Sequence, residues 1–281
     1  MGEFTRTFRS RLNQLPLDLK VKLGEVSYQK GMMATSRKNK VKELLDEYGI
    51  QYLEVGTGTN RFIIKYDGYA IKIALDAEGI ADNKQEWVVS EKLAPDVAKA
   101  YEISHGGHLL VASYCPAFTS YLEMYSHAST IRRILEKWFQ NYLLGDVGLS
   151  KVNYANWGLS PDGRPVCIDY AYIFPAEMKL FQCVCGCKSL TNYDNSYTAY
   201  KCPQCGKKYE DRDIRSRISL KTRQSLFNST EGIEMTEPVE EHEVNARYIK
   251  PDTNPDAPNP YEVAMTVAER IFSETGSYYS K

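Results

Sequence analysis

Five of the seven cysteines in this 281-residue chain fall in one short segment, between Cys183 and Cys205. Closely spaced cysteines are typical of metal ligation in a reducing compartment, whereas disulfide frameworks are typical of small secreted domains. A segment this short needs a bound metal to be stable. We therefore expect a small metal-organised unit within a larger protein.

Two cysteine pairs, each followed by a glycine, carry this prediction. Cys183 and Cys185 form the first pair, Cys202 and Cys205 form the second, and 16 residues lie between them. The pattern resembles the two knuckles of a zinc ribbon, in which four thiolates close a tetrahedral Zn²⁺ site and leave no open coordination position. The resemblance therefore implies structural rather than catalytic zinc. The first pair is irregularly spaced, and Cys187 is left open as a substitute ligand. The hairpin core is expected from Leu190, Tyr193, Tyr197, Tyr200 and Tyr209.

Upstream of the cysteines, short β-rich runs and one helical stretch predict the order β-β-β-α-β-β. Tight turns separate the first three strands, and Pro95 ends the helix. After the last strand, a helix capped by Ser129 extends to Gly145, and a hairpin turns at 161–163. The expected strands are 51–55, 62–66, 69–75, 99–104 and 109–114, and the expected first helix is 79–93.

Four short motifs lie within and after these elements, and their residues are suited to binding a phosphate and a metal. Gly56-Thr-Gly58 lies in a turn between two strands, where backbone N–H groups can approach phosphate oxygens. Lys72 ends the run Tyr-Ala-Ile-Lys on the third strand. Asn156, in Asn-Trp-Gly, and Asp169, in Cys-Ile-Asp, offer the hard oxygen ligands that Mg²⁺ prefers.

In order and spacing, these motifs resemble the nucleotide site of the protein kinase superfamily over about residues 50–175. The resemblance implies a two-lobed α+β fold in which Lys72 contacts the phosphates of ATP while Asn156 and Asp169, 13 positions apart, bind Mg²⁺. A carboxylate of the first helix would orient the lysine. Glu86 and Glu91 both qualify, and Glu86 is preferred because its apolar neighbours would then pack the helix. Small bacterial and bacteriophage kinase-like proteins are similar at these points.

The position of the catalytic base departs from the kinase pattern. Five residues before Asn156, where a kinase keeps an Asp, this chain has Lys151. A lysine cannot accept the substrate proton unless its pKa is strongly lowered, so the resemblance implies a pseudokinase or a weak atypical kinase. Asp146, ten residues before Asn156, is the alternative base if the residues between them form an enlarged loop. Only 14 residues separate Asp169 from Cys183, which predicts a truncated C-lobe.

These features divide the chain into six expected segments. Beyond about Asn228 the chain turns acidic and Pro-rich, which favours an extended linker before a last amphipathic helix. The segments are 1–50 (N-terminal helical extension), 51–114 (N-lobe), 115–180 (minimal C-lobe), 181–212 (zinc ribbon), 213–260 (basic, then acidic and Pro-rich linker) and 261–281 (C-terminal amphipathic helix and tail).

The overall composition bears on partners and location. Lys plus Arg (35) nearly balances Asp plus Glu (36), so whole-chain charge does not favour nucleic acid or a membrane as the main partner. No apolar run is long enough to cross a bilayer, and Met1–Arg11 lacks the apolar core of a signal peptide. We expect a cytoplasmic protein of a bacterial or phage-infected host cell, or a virion protein.

Three functions stay open at this point. The leading one is a nucleotide-binding pseudokinase or weak atypical kinase that docks on a larger protein assembly through the zinc ribbon and tail. The second is an active Ser/Thr protein kinase that uses Asp146 as its base. The third is a structural or nucleic-acid-associated scaffold, favoured by basic residues around the ribbon but weakened by interleaved acids such as Glu210 and Asp213.

Overall fold

The fold is mixed α+β and is built around a five-stranded antiparallel sheet. The computed structural model describes residues 11–29, 31–178, 180–193 and 199–229. The acidic, Pro-rich part of the expected linker and the helix expected over 261–281 lie outside these residues. Within the described part of the chain, no helix is both long and apolar enough to span a bilayer.

The main sheet follows the sequence prediction to within two residues at each strand end. Its strands are β1 (Leu53–Thr57), β2 (Arg61–Tyr66), β3 (Tyr69–Ala74), β4 (Ala100–Ile103) and β5 (Leu109–Ser113). They lie in the order β1-β2-β3-β5-β4. A two-residue turn joins β2 to β3 because Asp67 and Gly68 adopt the positive φ angles, 46° and 78°, that such a hairpin needs.

Two N-terminal helices cover one face of this sheet. Helix α1 (Leu17–Tyr28) and helix α2 (Ala34–Glu47) pack against alternate strand residues, whose side chains point to the same face. The buried contacts include Leu19, Leu23, Val41 and Leu45 from the helices and Phe62, Ile64, Ile71, Ile73, Leu109 and Val111 from the strands. The expected N-terminal extension is therefore a layer of the sheet's own core.

Helix α3 (Ala77–Leu93) reaches Lys72, which alternates along β3 with the core residues of the covered face. Asp76 caps the helix by accepting a hydrogen bond from the Gly79 N–H at 2.9 Å. Gly79 is required there because a Cβ would come within 2.1 Å of the Asn60 carbonyl oxygen. The turn between β1 and β2 is thus held against the start of α3.

Two short helices and two small strand pairs complete the main body. The helices are α4 (Tyr121–Ser126) and α5 (Ala128–Phe139), and the strands are β6 (Tyr142–Leu144), β7 (Trp157–Leu159), β8 (Pro165–Cys167) and β9 (Ile173–Pro175). Strand β7 pairs with β8 as the predicted hairpin, and β6 pairs with β9. The prediction that α5 extends to Gly145 is wrong, because the residues of β6 bond to β9 instead of continuing the helix. Trp138 and Trp157 stack in the core, with ring centroids 5.9 Å apart.

Residues 181–210, hereafter the cysteine module, form a small three-stranded antiparallel sheet. Its strands are β10 (Thr191–Asn192), β11 (Ala199–Lys201) and β12 (Lys208–Glu210). Tyr200 anchors the module, since its hydroxyl accepts a hydrogen bond from the Leu144 N–H at 3.0 Å and donates one to the Leu144 carbonyl at 2.7 Å. Of the expected core residues, Tyr200 and Tyr209 are buried, Leu190 is half-buried and Tyr193 is exposed, while Tyr197 lies outside the described residues.

Two helices follow the cysteine module where the sequence predicted the start of a linker. Helix α6 (Asp211–Arg217) begins with a capping box formed by Glu210 and Asp213, and helix α7 (Leu220–Ser229) follows it. Ile214 and Arg223 are buried. The linker boundary predicted at residue 213 is therefore wrong, because these side chains tie the helices to the rest of the fold.

Candidate functional site

A cleft of about 400 Å³ lies between the main sheet and the loops that join β6 to β7 and β8 to β9. The glycine-rich turn of residues 56–60 borders one side. Among the site residues predicted from the sequence, Gly56, Gly58, Lys72, Asp146, Asn156 and Asp169 all line the cleft. The fold therefore brings together residues that are more than 100 positions apart in the chain.

A buried ion pair joins Lys72 of β3 to Glu86 of α3. The Lys72 ammonium contacts the Glu86 carboxylate and also donates to the Ile168 carbonyl oxygen at 2.6 Å. Both side chains are buried, with exposures of 4% and 0%. Glu91, the other candidate partner, pairs instead with Lys99 at 2.9 Å. The structure thus places the preferred carboxylate against the lysine at the back of the cleft.

Arg61 at the start of β2 is the main site residue that sequence reasoning missed. Its guanidinium donates to Glu86 at 2.9 Å and to Asp169 at 2.8 Å, and its Nε lies 3.9 Å from Asp82. The side chain is 4% exposed. A single arginine after a glycine-rich turn is normally exposed to solvent, so the sequence gives no reason to place Arg61 in the site. Its role is visible only in the fold, where three carboxylates surround it.

The charges of this network reinforce one another. Burial by itself disfavours the charged form of Arg61, but Glu86, Asp169 and Asp82 outweigh burial and raise the arginine's pKa. Burial likewise opposes ionisation of Asp169, yet the neighbouring Arg61 and Lys72 lower its pKa. Arg61 and Asp169 therefore stabilise each other in their charged forms.

The loop between β6 and β7 carries the two candidate positions for a catalytic base, Lys151 and Asp146. Lys151, at the position of the expected base, is exposed and is not among the residues that line the cleft. Asn153 is buried and donates to the Gly148 carbonyl at 3.3 Å, so it braces the loop. Asp146 lines the cleft and has a positive φ of 56°, a backbone conformation that is strained for a residue with a side chain.

Magnesium does not fit the predicted pair of ligands in this arrangement. The Asp169 carboxylate holds Arg61 and also accepts a hydrogen bond from the backbone N–H of Ala171. The Asn156 side chain donates to the Asp146 carbonyl oxygen at 2.6 Å and so supports the loop. This bond uses the amide nitrogen of Asn156 and not the oxygen that a metal would take, so the obstacle lies at Asp169. The carboxylate that would anchor Mg²⁺ there is already paired with a buried arginine.

Four cysteines of the module form a second candidate site. The sulfur atoms of Cys183, Cys185, Cys202 and Cys205 all lie within 4.8 Å of one another. A tetrahedral zinc ion with Zn–S bonds of about 2.3 Å separates its sulfur ligands by about 3.8 Å, so this spacing is compatible with structural zinc. Cys187 is outside the group, and its thiol lies 3.6 Å from the Ser189 carbonyl oxygen.

Hydrogen bonds to sulfur prepare the cysteine group for a cation. The Tyr209 hydroxyl donates to the Cys183 sulfur at 3.0 Å. Burial would raise the pKa of Cys183, but this bond and one from the Cys185 backbone N–H lower it to about 6. A hydrogen bond from the Cys205 backbone N–H lowers the pKa of Cys202 as well, whereas the pKa values of Cys185 and Cys205 are raised beside the neighbouring sulfur atoms. The thiolate form that a metal requires is thus favoured at two of the four cysteines.

Arg223 of α7 connects the helices after the cysteine module to the first turns of α3. Its guanidinium donates to Glu78 at 3.0 Å and to Asp82 at 2.5 Å, and it lies 4.7 Å from the centre of the Tyr172 ring. Because Asp82 also faces Arg61, one carboxylate is shared between the cleft network and α7.

Comparison with known proteins identifies no family: no protein-family model and no curated protein matches the chain. A functional assignment therefore depends on the geometry of the cleft and of the cysteine group.

Proposed function

We propose that this protein is a kinase-like nucleotide-binding protein of the pseudokinase type, whose cleft takes a nucleotide such as ATP. The observation that carries the proposal is the buried Lys72–Glu86 pair, which lies in one cleft with a glycine-rich turn on one side and Asp169 on the other. A lysine held by a helix carboxylate beneath a glycine-rich turn is the arrangement that kinases use to bind nucleotide phosphates.

The order of elements supports the same assignment. Three antiparallel strands, a helix and two further strands follow one another along the chain, and the strands form one side of the cleft. The helix supplies the carboxylate for the lysine. Beside the charged end, Ile63, Ala70 and Ile168 line an apolar part of the cleft next to residues 113–115. Apolar lining of this kind suits a nucleobase. Burial raises the pKa of Cys115 in this wall to about 11, so its thiol is neutral.

Weak or absent phosphate transfer follows from the missing base. The position five residues before Asn156 carries exposed Lys151 instead of a carboxylate aimed into the cleft. Catalysis by a kinase depends on positioning as well as on the base, so its loss slows transfer without abolishing nucleotide binding. The protein would then act through what it binds.

The cysteine module fits a zinc ribbon that serves as a docking element. Four sulfur ligands leave no coordination position for a substrate, so the metal would be structural. The exposed basic side chains Lys201, Lys207 and Lys208 lie on the module and offer a surface for a larger assembly. Docking on a protein partner is the proposal here, and nucleic acid is the alternative partner.

Thermal unfolding of the full chain with and without ATP tests the proposed function. A ligand that binds only the folded state raises the melting temperature with its concentration. We expect a rise with ATP that is lost in Lys72→Ala and retained in the control Lys99→Ala. Lys99 lies just before β4 and forms an exposed pair with Glu91. No rise for the unmodified chain, with or without Mg²⁺, would favour the scaffold function.

An active Ser/Thr kinase is the second candidate, because Asp146 lines the cleft in a strained conformation. Transfer of radiolabelled phosphate to protein substrates separates the two. We expect transfer that is absent, or weak and unaffected by Asp146→Ala. Transfer that is abolished by Asp146→Ala and retained by Lys151→Ala would replace the pseudokinase assignment with an active kinase.

A further inference from the structure

Arg61 lies beside Lys72 and the glycine-rich turn, in the part of the cleft that the proposed function assigns to the phosphates. It is the first residue of β2, directly after the glycine-rich turn, and its side chain lines the cleft although only 4% of it is exposed. The guanidinium donates to Glu86 at 2.9 Å, and the other oxygen of the same carboxylate holds Lys72. Two cations are therefore fixed side by side on one buried anion.

The same guanidinium neutralises the carboxylate that a metal at Asp169 would need. It donates to the Asp169 Oδ1 atom at 2.8 Å. A divalent cation at this carboxylate would have to compete with a buried arginine, and it would lie close to the positive charges of Arg61 and Lys72. An arginine can replace it, because a planar guanidinium forms paired hydrogen bonds with phosphate oxygens.

We infer that the cleft binds the polyphosphate of a nucleotide through Arg61 and Lys72 without a divalent metal, and that Asp169 is the counter-ion from which Arg61 turns to the phosphates. This inference rests on the proposed nucleotide binding. Asp169 then opposes binding in two ways, since it holds the arginine and repels the phosphates. If Asp169 were instead a metal ligand, it would favour nucleotide binding, and removing its charge would weaken that binding.

Titration calorimetry of the full chain with ATP in EDTA and in Mg²⁺ tests the inference. We expect binding in EDTA at least as tight as in Mg²⁺. Asp169→Asn is expected to bind ATP roughly tenfold more tightly in EDTA, because Arg61 loses its counter-ion. The matched control is Asp162→Asn, which removes an exposed carboxylate from the β7–β8 turn and is expected to leave affinity unchanged.

Arg61→Lys keeps the positive charge but cannot bridge two anions with a planar fork. We expect it to weaken ATP binding in EDTA roughly tenfold while the thermal transition still shows a folded chain. An unchanged affinity in Arg61→Lys would overturn the inference.

The outcomes separate this inference from the proposed function. If the unmodified chain binds ATP only with Mg²⁺, or if Asp169→Asn binds ATP with equal or lower affinity, metal-free binding is overturned and nucleotide binding stands. If the unmodified chain binds ATP in neither buffer, the proposed function fails and the inference fails with it.

Discussion

At the scale of single residues, His108 joins the N-terminal helices to the main sheet. Its Nδ1 atom lies 3.0 Å from the Ser27 hydroxyl, and its ring meets the Tyr28 ring edge-on at 5.1 Å. The ring also packs beside Gly24 of α1. Burial, with help from the positive charges of Lys84 and His105, lowers the pKa of His108 to about 4.

This shift predicts that stability falls as the pH drops below about 6.5. In the unfolded chain His108 takes up a proton near pH 6.5, whereas in the folded chain it stays neutral down to about pH 4. The stabilisation is therefore complete above pH 6.5 and is lost on the way down to pH 4, at a cost on the order of 3 kcal/mol. Urea unfolding across this range measures it.

The control for this prediction is a second histidine in the same hairpin. His108→Gln should flatten the pH dependence between 4 and 6.5, while His105→Gln, which removes an exposed ring, should leave the slope in place. An unchanged slope in His108→Gln would show that another group titrates.

Residue by residue, the sequence predicts local chemistry better than long-range pairing. Lys72, Glu86 and the four clustered cysteines follow from spacing along strands, helices and knuckles, and the fold brings each set together. Arg61 does not follow from spacing, because its partner Asp169 lies 108 positions away. Whether a charged side chain is buried depends on such distant partners, which a short motif does not contain.

At the scale of elements, Arg223 holds α7 against α3. Its side chain is 1% exposed and pairs with Asp82, which is 6% exposed. Removing Arg223 leaves the buried Asp82 carboxylate facing the more distant Arg61 Nε at 3.9 Å. We therefore expect Arg223→Leu to lower the free energy of unfolding by about 3 kcal/mol. Chemical denaturation measures the loss.

Two further variants show whether the loss comes from the pair. Lys221→Ala, which removes an exposed lysine from the same helix, should change stability little. Adding Asp82→Asn to Arg223→Leu should recover part of the loss, because the buried carboxylate is then neutral. Strictly additive effects would contradict a direct interaction between the two side chains.

The cysteine module should bind one zinc ion through the four clustered thiolates. We expect Cys202→Ser to lose the metal and to unfold the module, since a structural zinc site supplies much of the folding energy of so small a unit. Cys187→Ser is the matched control and should keep one zinc per chain. Atomic absorption measures the zinc content, and metal loss in Cys187→Ser would assign that cysteine as a ligand instead.

Elements with strong local signals agree with the sequence prediction, and elements decided by packing do not. Alternating apolar residues and turns locate all five strands of the main sheet. The end of α5 is missed because the apolar residues 142–144 are compatible with either a helix or a strand. Their pairing with β9, which the sequence does not show, makes them a strand. Helices α6 and α7 are missed because their charged sequence resembles a linker. The ion pairs of Arg223 with Glu78 and Asp82, which help to hold α7 in place, are distant in the sequence.

At the scale of the whole molecule, the described residues up to Ser225 belong to one compact unit. Two helices back the sheet, α3 carries Glu86 to the cleft, and Arg223 links α7 to the same helix. The sequence predicts the α+β class and several residues that line the cleft, but not Arg61. It does not predict that the N-terminal helices complete the sheet's core, because helical spacing does not say which surface a helix covers.

The central claim is that this one cleft binds a nucleotide, and titration calorimetry with ATP tests it most directly. We predict a single site per chain that saturates with ATP for the unmodified protein and for Lys99→Ala, and that is lost in Lys72→Met. The absence of saturable binding to the folded, unmodified chain at millimolar ATP, in both EDTA and Mg²⁺, would contradict the account.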